Sequence, residues 1–177
     1  MQEIIVFSLF FFIHLTMDTV SHALWGKALF GYRKYKWSSF IFGALPDLLS
    51  FGLYFLFNLI TSPSNIKFGK PALETIPYWV FDLYDFSHSL IIAFIFILIT
   101  SLFDKELCFP MLAWPLHILI DLFTHSVQYF PTPFFWPISD YRFDGIPWSN
   151  PYILILNFAF IFLLFIYRYR RKIKVQL

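Results

Sequence analysis

Apolar residues fall into five long runs along this chain, from Ile4 to Trp25, Ser39 to Ile60, Ser89 to Phe103, Cys108 to Val127 and Tyr152 to Tyr167. Polar residues are concentrated between the runs. A helix that crosses a bilayer needs about 20 apolar residues, with about 17–25 tolerated. The first, second and fourth runs meet that length, and the third and fifth reach it by extending into their flanks. The pattern predicts an all-α fold, a polytopic membrane bundle of about five apolar helices. Ser149-Asn150-Pro151 predicts the start of the last helix, with a capping side chain before a first-turn proline. Pro46, Pro110 and Pro115 are expected to bend or begin the second and fourth helices. The link Asp104-Lys105-Glu106-Leu107 is short enough to make the third and fourth helices antiparallel neighbours.

Two longer polar stretches remain, about Thr61 to Ser87 and Gln128 to Pro151, rich in proline and aromatic residues. They are expected to lie at headgroup level as outward-facing covers. Composition agrees with the membrane reading. Of 177 residues, 59% are hydrophobic and only 14% charged, against about 45–50% and about 25% in ordinary globular domains. The length suits one domain over residues 1–177. The start, Met-Gln-Glu, lacks the basic region of a signal peptide, so the first run is expected to be retained.

Charge placement predicts a topology. Lys27, Arg33, Lys34 and Lys36 follow the first run, Lys105 follows the third, and Arg168, Arg170, Arg171, Lys172 and Lys174 form the tail. Only Lys67, Lys70 and Arg142 lie in the alternate links. The excess of basic residues on cytoplasmic loops then places the C-terminal tail of a multi-pass membrane protein in the cytoplasm. No aromatic-basic recognition module accompanies the tail, so no nucleic-acid partner is expected.

Against this apolar background the histidines are informative. His14, Asp18 and His22 form one H-x3-D-x3-H pattern, and His117, Asp121 and His125 form a second. Steps of four put such side chains on one helix face, drifting about 40° per step. An ionised Asp near the centre of a spanning helix costs about 2.5–3.5 kcal/mol, and coordination to a divalent cation offsets that. A seam of Asp–His hydrogen bonds is the plainer alternative. His14 and His22 are about 12 Å apart along a helix axis at its usual rise, too far for one ion with bonds of about 2.0–2.1 Å. Each copy should therefore serve two ions, or use one histidine as an outer partner. Nitrogen and oxygen donors without thiolate favour zinc, with manganese or iron as alternatives. The lone Cys108 excludes a cysteine-based zinc site.

Two further fragments complete the set. Gly43-Ala44-Leu45-Pro46-Asp47 presents Asp47 at a proline break, as a bridging ligand or general base. Asp85-Phe86-Ser87-His88-Ser89 puts His88 at the start of the third helix, with Asp85 expected as its capping partner. Asp140, Arg142 and Asp144 read as solvated or rim groups.

Taken together, H-x3-D-x3-H, G-x2-P-D, S-H-S and H-x3-D-x2-T-H resemble the family of small bacterial and archaeal inner-membrane proteins known as membrane-bound metal-dependent hydrolases. That family is distantly similar to zinc-dependent phospholipase C. The likeness runs from His14 to about Pro151. It implies a metal shell of His14, Asp18, His22, Asp47, His88, His117, Asp121 and His125, holding about two divalent ions. One departure is visible: Leu83-Tyr84 stands where many members carry His-Arg, and Ser87 replaces a threonine.

These readings predict a hydrolase in which metal-activated water attacks a phosphoester or related ester of a lipid or amphiphilic substrate, with Asp47 as base. A transporter with an intramembrane His/Asp path and a purely structural metal site are the alternatives. With simple spanning helices, His22 would end up near the cytoplasmic face, away from His88 and His125. Either the first helix is buried or re-entrant, or the motifs do not all meet.

Overall fold

The computed structural model describes residues 18–62 and 71–176, with side chains as far as Arg171. The fold is all-α, with no strand among the described residues. Helix α1 covers residues 18–30. It is followed by α2 (Ser38–Asp47), a π-helical turn (Leu48–Gly52) and α3 (Leu53–Thr61). Then come α4 (Tyr78–Ser87), α5 (Leu90–Ser101), α6 (Lys105–Met111), α7 (Ala113–Thr124) and α8 (Pro151–Gln176).

Three stretches are long and apolar enough to cross a membrane: Ser38–Thr61, Lys105–Thr124 and Pro151–Arg171. The pair α4 and α5, bent by 57°, makes a fourth if it counts as one broken span. Three to four such helices mark a membrane protein. The first expected run, Ile4 to Trp25, lies mostly outside the described residues.

Proline shapes two of the spans. Pro46 sits in the last turn of α2, where it supplies no N–H for the ladder, and the chain widens directly afterwards into the π-helical turn. Ser50 fills the gap by donating to the Pro46 carbonyl at 3.1 Å. In the fourth run, Pro110 lies in α6 and Pro115 in the first turn of α7, and the two helices meet at Leu112. The expected hairpin is present. Asp104 caps α6 by accepting from the amides of Glu106 (3.0 Å) and Leu107 (3.3 Å). Its carboxyl is held below the usual range by the neighbouring Tyr35 hydroxyl and these amides. Asn150 accepts from the Tyr152 amide at 2.9 Å at the start of α8, as expected.

Two expectations need correction. The stretch read as the loop Thr61 to Ser87 contains α4, whose buried residues Val80, Tyr84 and Ser87 recur at helical spacing. Its one apolar face is too short to stand out as a span. In addition, Asp85 does not cap the next helix. Because α4 runs on to Ser87, the cap falls to Ser89, which accepts from the Ile92 amide at 3.3 Å. Asp85 instead pairs with Arg142 at 3.3 Å.

Close helix approach locates α1 in the bundle. A Cβ at Gly43 would lie 2.5 Å from the His22 carbonyl oxygen and 3.0 Å from the Ala23 Cα, so only glycine lets α2 press this closely on α1. On its other side α1 meets α8. Arg168 donates to the carbonyls of Ala28 and Leu29, each at 3.1 Å, and its guanidinium lies 3.9 Å from the Tyr32 ring centre. Trp25 donates to Asn157 at 2.7 Å. The described part of α1 is thus enclosed by its neighbours, whereas most of α8 faces outward, as a lipid-facing helix would.

Candidate metal centre

His14 lies outside the described residues; the structure brings the other seven predicted ligands to one place. Helix α1 contributes Asp18 and His22, and α7 contributes His117 and Asp121 one turn apart on a shared face. His125 follows just beyond the end of α7, in extended backbone. Asp47 comes from the end of α2, and His88 from the break between α4 and α5. His22 therefore meets His117 and Asp121 directly. The described residues of the motifs therefore do meet, with His22 of α1 beside Asp121 of α7.

The seven residues divide into two groups around Asp121. Its Oδ2 lies 2.9 Å from His117 Nε2 and 3.4 Å from His88 Nε2. Those two nitrogens are 3.3 Å apart, and Asp47 Oδ1 lies 3.5 Å from His88 and 3.6 Å from His117. A tetrahedron whose vertices stand about 2.0–2.1 Å from its centre has edges of about 3.3–3.4 Å. Asp47, His88, His117 and Asp121 match that spacing. The other oxygen of Asp121, Oδ1, lies 2.8 Å from His22 Nε2, which is 3.1 Å from Asp18 Oδ1. His125 Nε2 stands beside this second group, 3.6 Å from Asp18 Oδ2 and 4.0 Å from Asp121 Oδ1.

The hydrogen-bond geometry fits a cation site. His117 Nδ1 is 2.7 Å from the Gly43 carbonyl, and His88 Nδ1 is 3.1 Å from the Tyr84 carbonyl. A carbonyl only accepts, so both Nδ1 atoms carry the proton, that of His88 shared with Ser87 Oγ at 3.0 Å, and in neutral rings both Nε2 atoms then present lone pairs. Two lone pairs facing each other at 3.3 Å repel unless a cation lies between them. Asp121 adds to this. Neither of its oxygens has a hydrogen-bond partner, although His22 and His117 nitrogens lie within 3 Å, and His22 Nε2 also lacks one. The atoms are close without N–H groups aimed at oxygens, an arrangement expected of donors that converge on a common centre. Both groups could hold a metal ion, and the donor chemistry fits one.

Outer contacts hold the shell. Asp47 Oδ2 accepts from Thr19 at 2.7 Å, leaving Oδ1 for the cluster. Trp114 donates to the Ser87 carbonyl at 2.7 Å, tying α7 to the break that carries His88. The chain after α7 folds back over the site, with the amides of Gly145, Ile146 and Trp148 bonded to the carbonyls of His125, Phe123 and Thr124 at 2.8–3.0 Å. The enclosure is uneven. His22, His88, His117 and Asp121 side chains are at most 1% exposed, whereas Asp18 is 17% exposed and Asp47 and His125 13% each. A cavity of about 30 Å³ adjoins Asp18, between Ser21, Thr124, Trp148 and Asn157. That is room for a water molecule.

The Thr19 hydroxyl and the carbonyls of Gly43 and Tyr84 contact the cluster in ways that the residue pattern did not single out. The G-x2-P-D fragment drew attention to Pro46 and Asp47, but the glycine supplies both the helix approach and the carbonyl for His117. No protein-family model matches this chain, and no curated protein or solved structure is found similar to it.

Proposed function

We propose that this chain is a membrane-embedded, metal-dependent hydrolase of the kind its motifs resemble, acting on a phosphoester or related ester of a lipid or amphiphilic substrate. The observation that carries the proposal is the pair of His/Asp groups sharing Asp121, with Asp47, His117 and Asp121 on stretches long and apolar enough to span a membrane and Asp18 beside a water-sized cavity. Asp47, His88, His117 and Asp121 would hold one ion. Asp18, His22 and Asp121, with His125, would hold the other. Zinc suits the nitrogen–oxygen donors and the near-tetrahedral spacing, and manganese or iron could substitute. When bound, such ions lower the pKa of water and neutralise charge developing on ester oxygens.

The chain's own residues divide the remaining work. Asp47, with one oxygen bonded by Thr19 and the other facing two histidines, would ligate, so the role of base expected of it would pass to Asp18. Asp18, the most exposed carboxylate and the one beside the cavity, is placed to take a proton from water. His22, His88 and His117 form the dry wall of the site. Substrate would enter from the side of Asp18, Asp47 and His125. A structural ion would be expected in a closed shell; here a cavity large enough for a water molecule adjoins Asp18. A transport path would string its polar groups along a span, whereas these converge on one carboxylate. By the distribution of basic residues the tail would lie in the cytoplasm, and by the family resemblance the membrane would be the inner one.

Elemental mass spectrometry of detergent-purified protein, beside a His117→Ala/Asp121→Ala variant, tests the reading, followed by a panel of phosphodiester and phospholipid substrates. At least one zinc or manganese per chain, lost in the variant, with metal-dependent hydrolysis of a panel member, is the expected result. A folded, metal-free protein purified without chelator would overturn it.

A further inference from the structure

Tyr84 touches both halves of the cluster, through different atoms. Its backbone carbonyl accepts from His88 Nδ1 at 3.1 Å, and its ring stacks on the His88 ring with centroids 3.9 Å apart. Its hydroxyl lies 3.0 Å from His125 Nδ1 and 2.9 Å from the Phe130 carbonyl oxygen. The hydroxyl has one proton. Phe130 offers only an acceptor, so the proton goes there, and toward His125 the hydroxyl oxygen accepts. His125 therefore carries its proton on Nδ1 and presents the Nε2 lone pair to Asp18 and Asp121. Phe130 is buried with a φ of 49°, an uncommon backbone conformation for a bulky residue, and in that conformation its carbonyl meets the Tyr84 hydroxyl.

We infer that Tyr84 is a positioning residue for both metal groups: its carbonyl orients His88 in the first, and its hydroxyl orients His125 in the second. The inference rests on the two-ion reading above. It also predicts an asymmetry. Tyr84→Phe keeps the carbonyl and the ring but removes the hydroxyl, so His88 stays oriented while His125 loses its partner. Loss of such an outer partner typically weakens metal binding by about 10–100-fold. The loss should fall on one ion only.

The test is a zinc titration of chelator-stripped, full-length protein in detergent against a competing chelator, with bound zinc counted per chain. Wild type is expected to bind two ions. Tyr84→Phe should bind the first as wild type does and the second about 10–100-fold more weakly. Tyr129→Phe, which removes a hydroxyl bonded to the Pro71 carbonyl in the same aromatic cluster, should retain both. Superimposable wild-type and Tyr84→Phe curves, or equal weakening of both ions, would overturn the role of Tyr84 and leave the metal centre standing. Wild type that binds no zinc would overturn the metal reading itself. Histidine-selective ¹⁵N NMR of zinc-loaded wild type needs no variant and decides the matter if Tyr84→Phe does not fold. A proton on Nδ1 of His125 supports the inference, and one on Nε2 overturns it.

Discussion

Substituting Asp121 by asparagine should abolish more metal-linked stability than substituting either of the other two carboxylates. Asp121 serves both ligand groups, Oδ2 beside His88 and His117 and Oδ1 beside His22, whereas Asp47 faces only the first group and Asp18 only the second. An amide offers one weak oxygen donor and no charge, so it cannot serve both sides. With free zinc at a hundredfold excess over each dissociation constant, each ion adds about 2.7 kcal/mol to the folded state, or about 5.4 kcal/mol for two. At about 2–4 °C per kcal/mol for a chain of this size, zinc should raise the wild-type melting temperature by about 10–20 °C. Asp47→Asn and Asp18→Asn should each retain about half of that rise, and Asp121→Asn close to none. Thermal denaturation in detergent, with and without zinc, for the four proteins reads this directly. An Asp121→Asn protein that keeps as much of the zinc-induced rise as Asp47→Asn would refute the sharing of Asp121.

Other substitutions separate the outer contacts from the bundle. Thr19→Val removes the 2.7 Å bond to Asp47 and should weaken zinc binding by about 10–100-fold in a competition titration. Gly43→Ala forces a Cβ to within 2.5 Å of the His22 carbonyl. It should lower stability by about 1–3 kcal/mol by denaturant unfolding, with loss of zinc as the His117 partner shifts. Arg168→Gln releases the α8 contact with the end of α1; it should lower stability by about 1–3 kcal/mol and leave the zinc stoichiometry unchanged.

Much of this site is legible in residue spacing because its ligands are polar groups that an apolar helix has no other reason to carry. The step of four that puts His117 and Asp121 on one face of α7 is a local property. So is the step that joins Asp18 to His22. Asp47 was marked by Pro46, and His88 by the serines around it. What spacing does not contain is the crossing of α1, α2 and α7, which decides that Asp121, rather than Asp18 or Asp47, lies in the middle. Nor does it reveal the Gly43 and Tyr84 carbonyls as the acceptors beside His117 and His88, because a backbone oxygen has the same chemistry in every residue. Helix α4 escaped notice for a related reason. Its aromatic face is amphipathic over only ten residues, and its partners, Phe51 and Phe130, come from distant parts of the chain. The all-helical class, the tight link at Asp104 to Leu107 and the capping at Asn150 depend on short-range pattern and were readable, whereas the cap that Asp104 supplies was not read from the sequence.

The central claim, a metal centre organised by Asp121, is tested most directly by anomalous diffraction at the zinc absorption edge from crystals of zinc-loaded protein. The account predicts two peaks flanking the Asp121 carboxylate, about 3.5–4 Å apart. One peak lies among Asp47, His88 and His117, and the other beside Asp18 and His22. Density for the folded protein with no anomalous peak at Asp121 would contradict it.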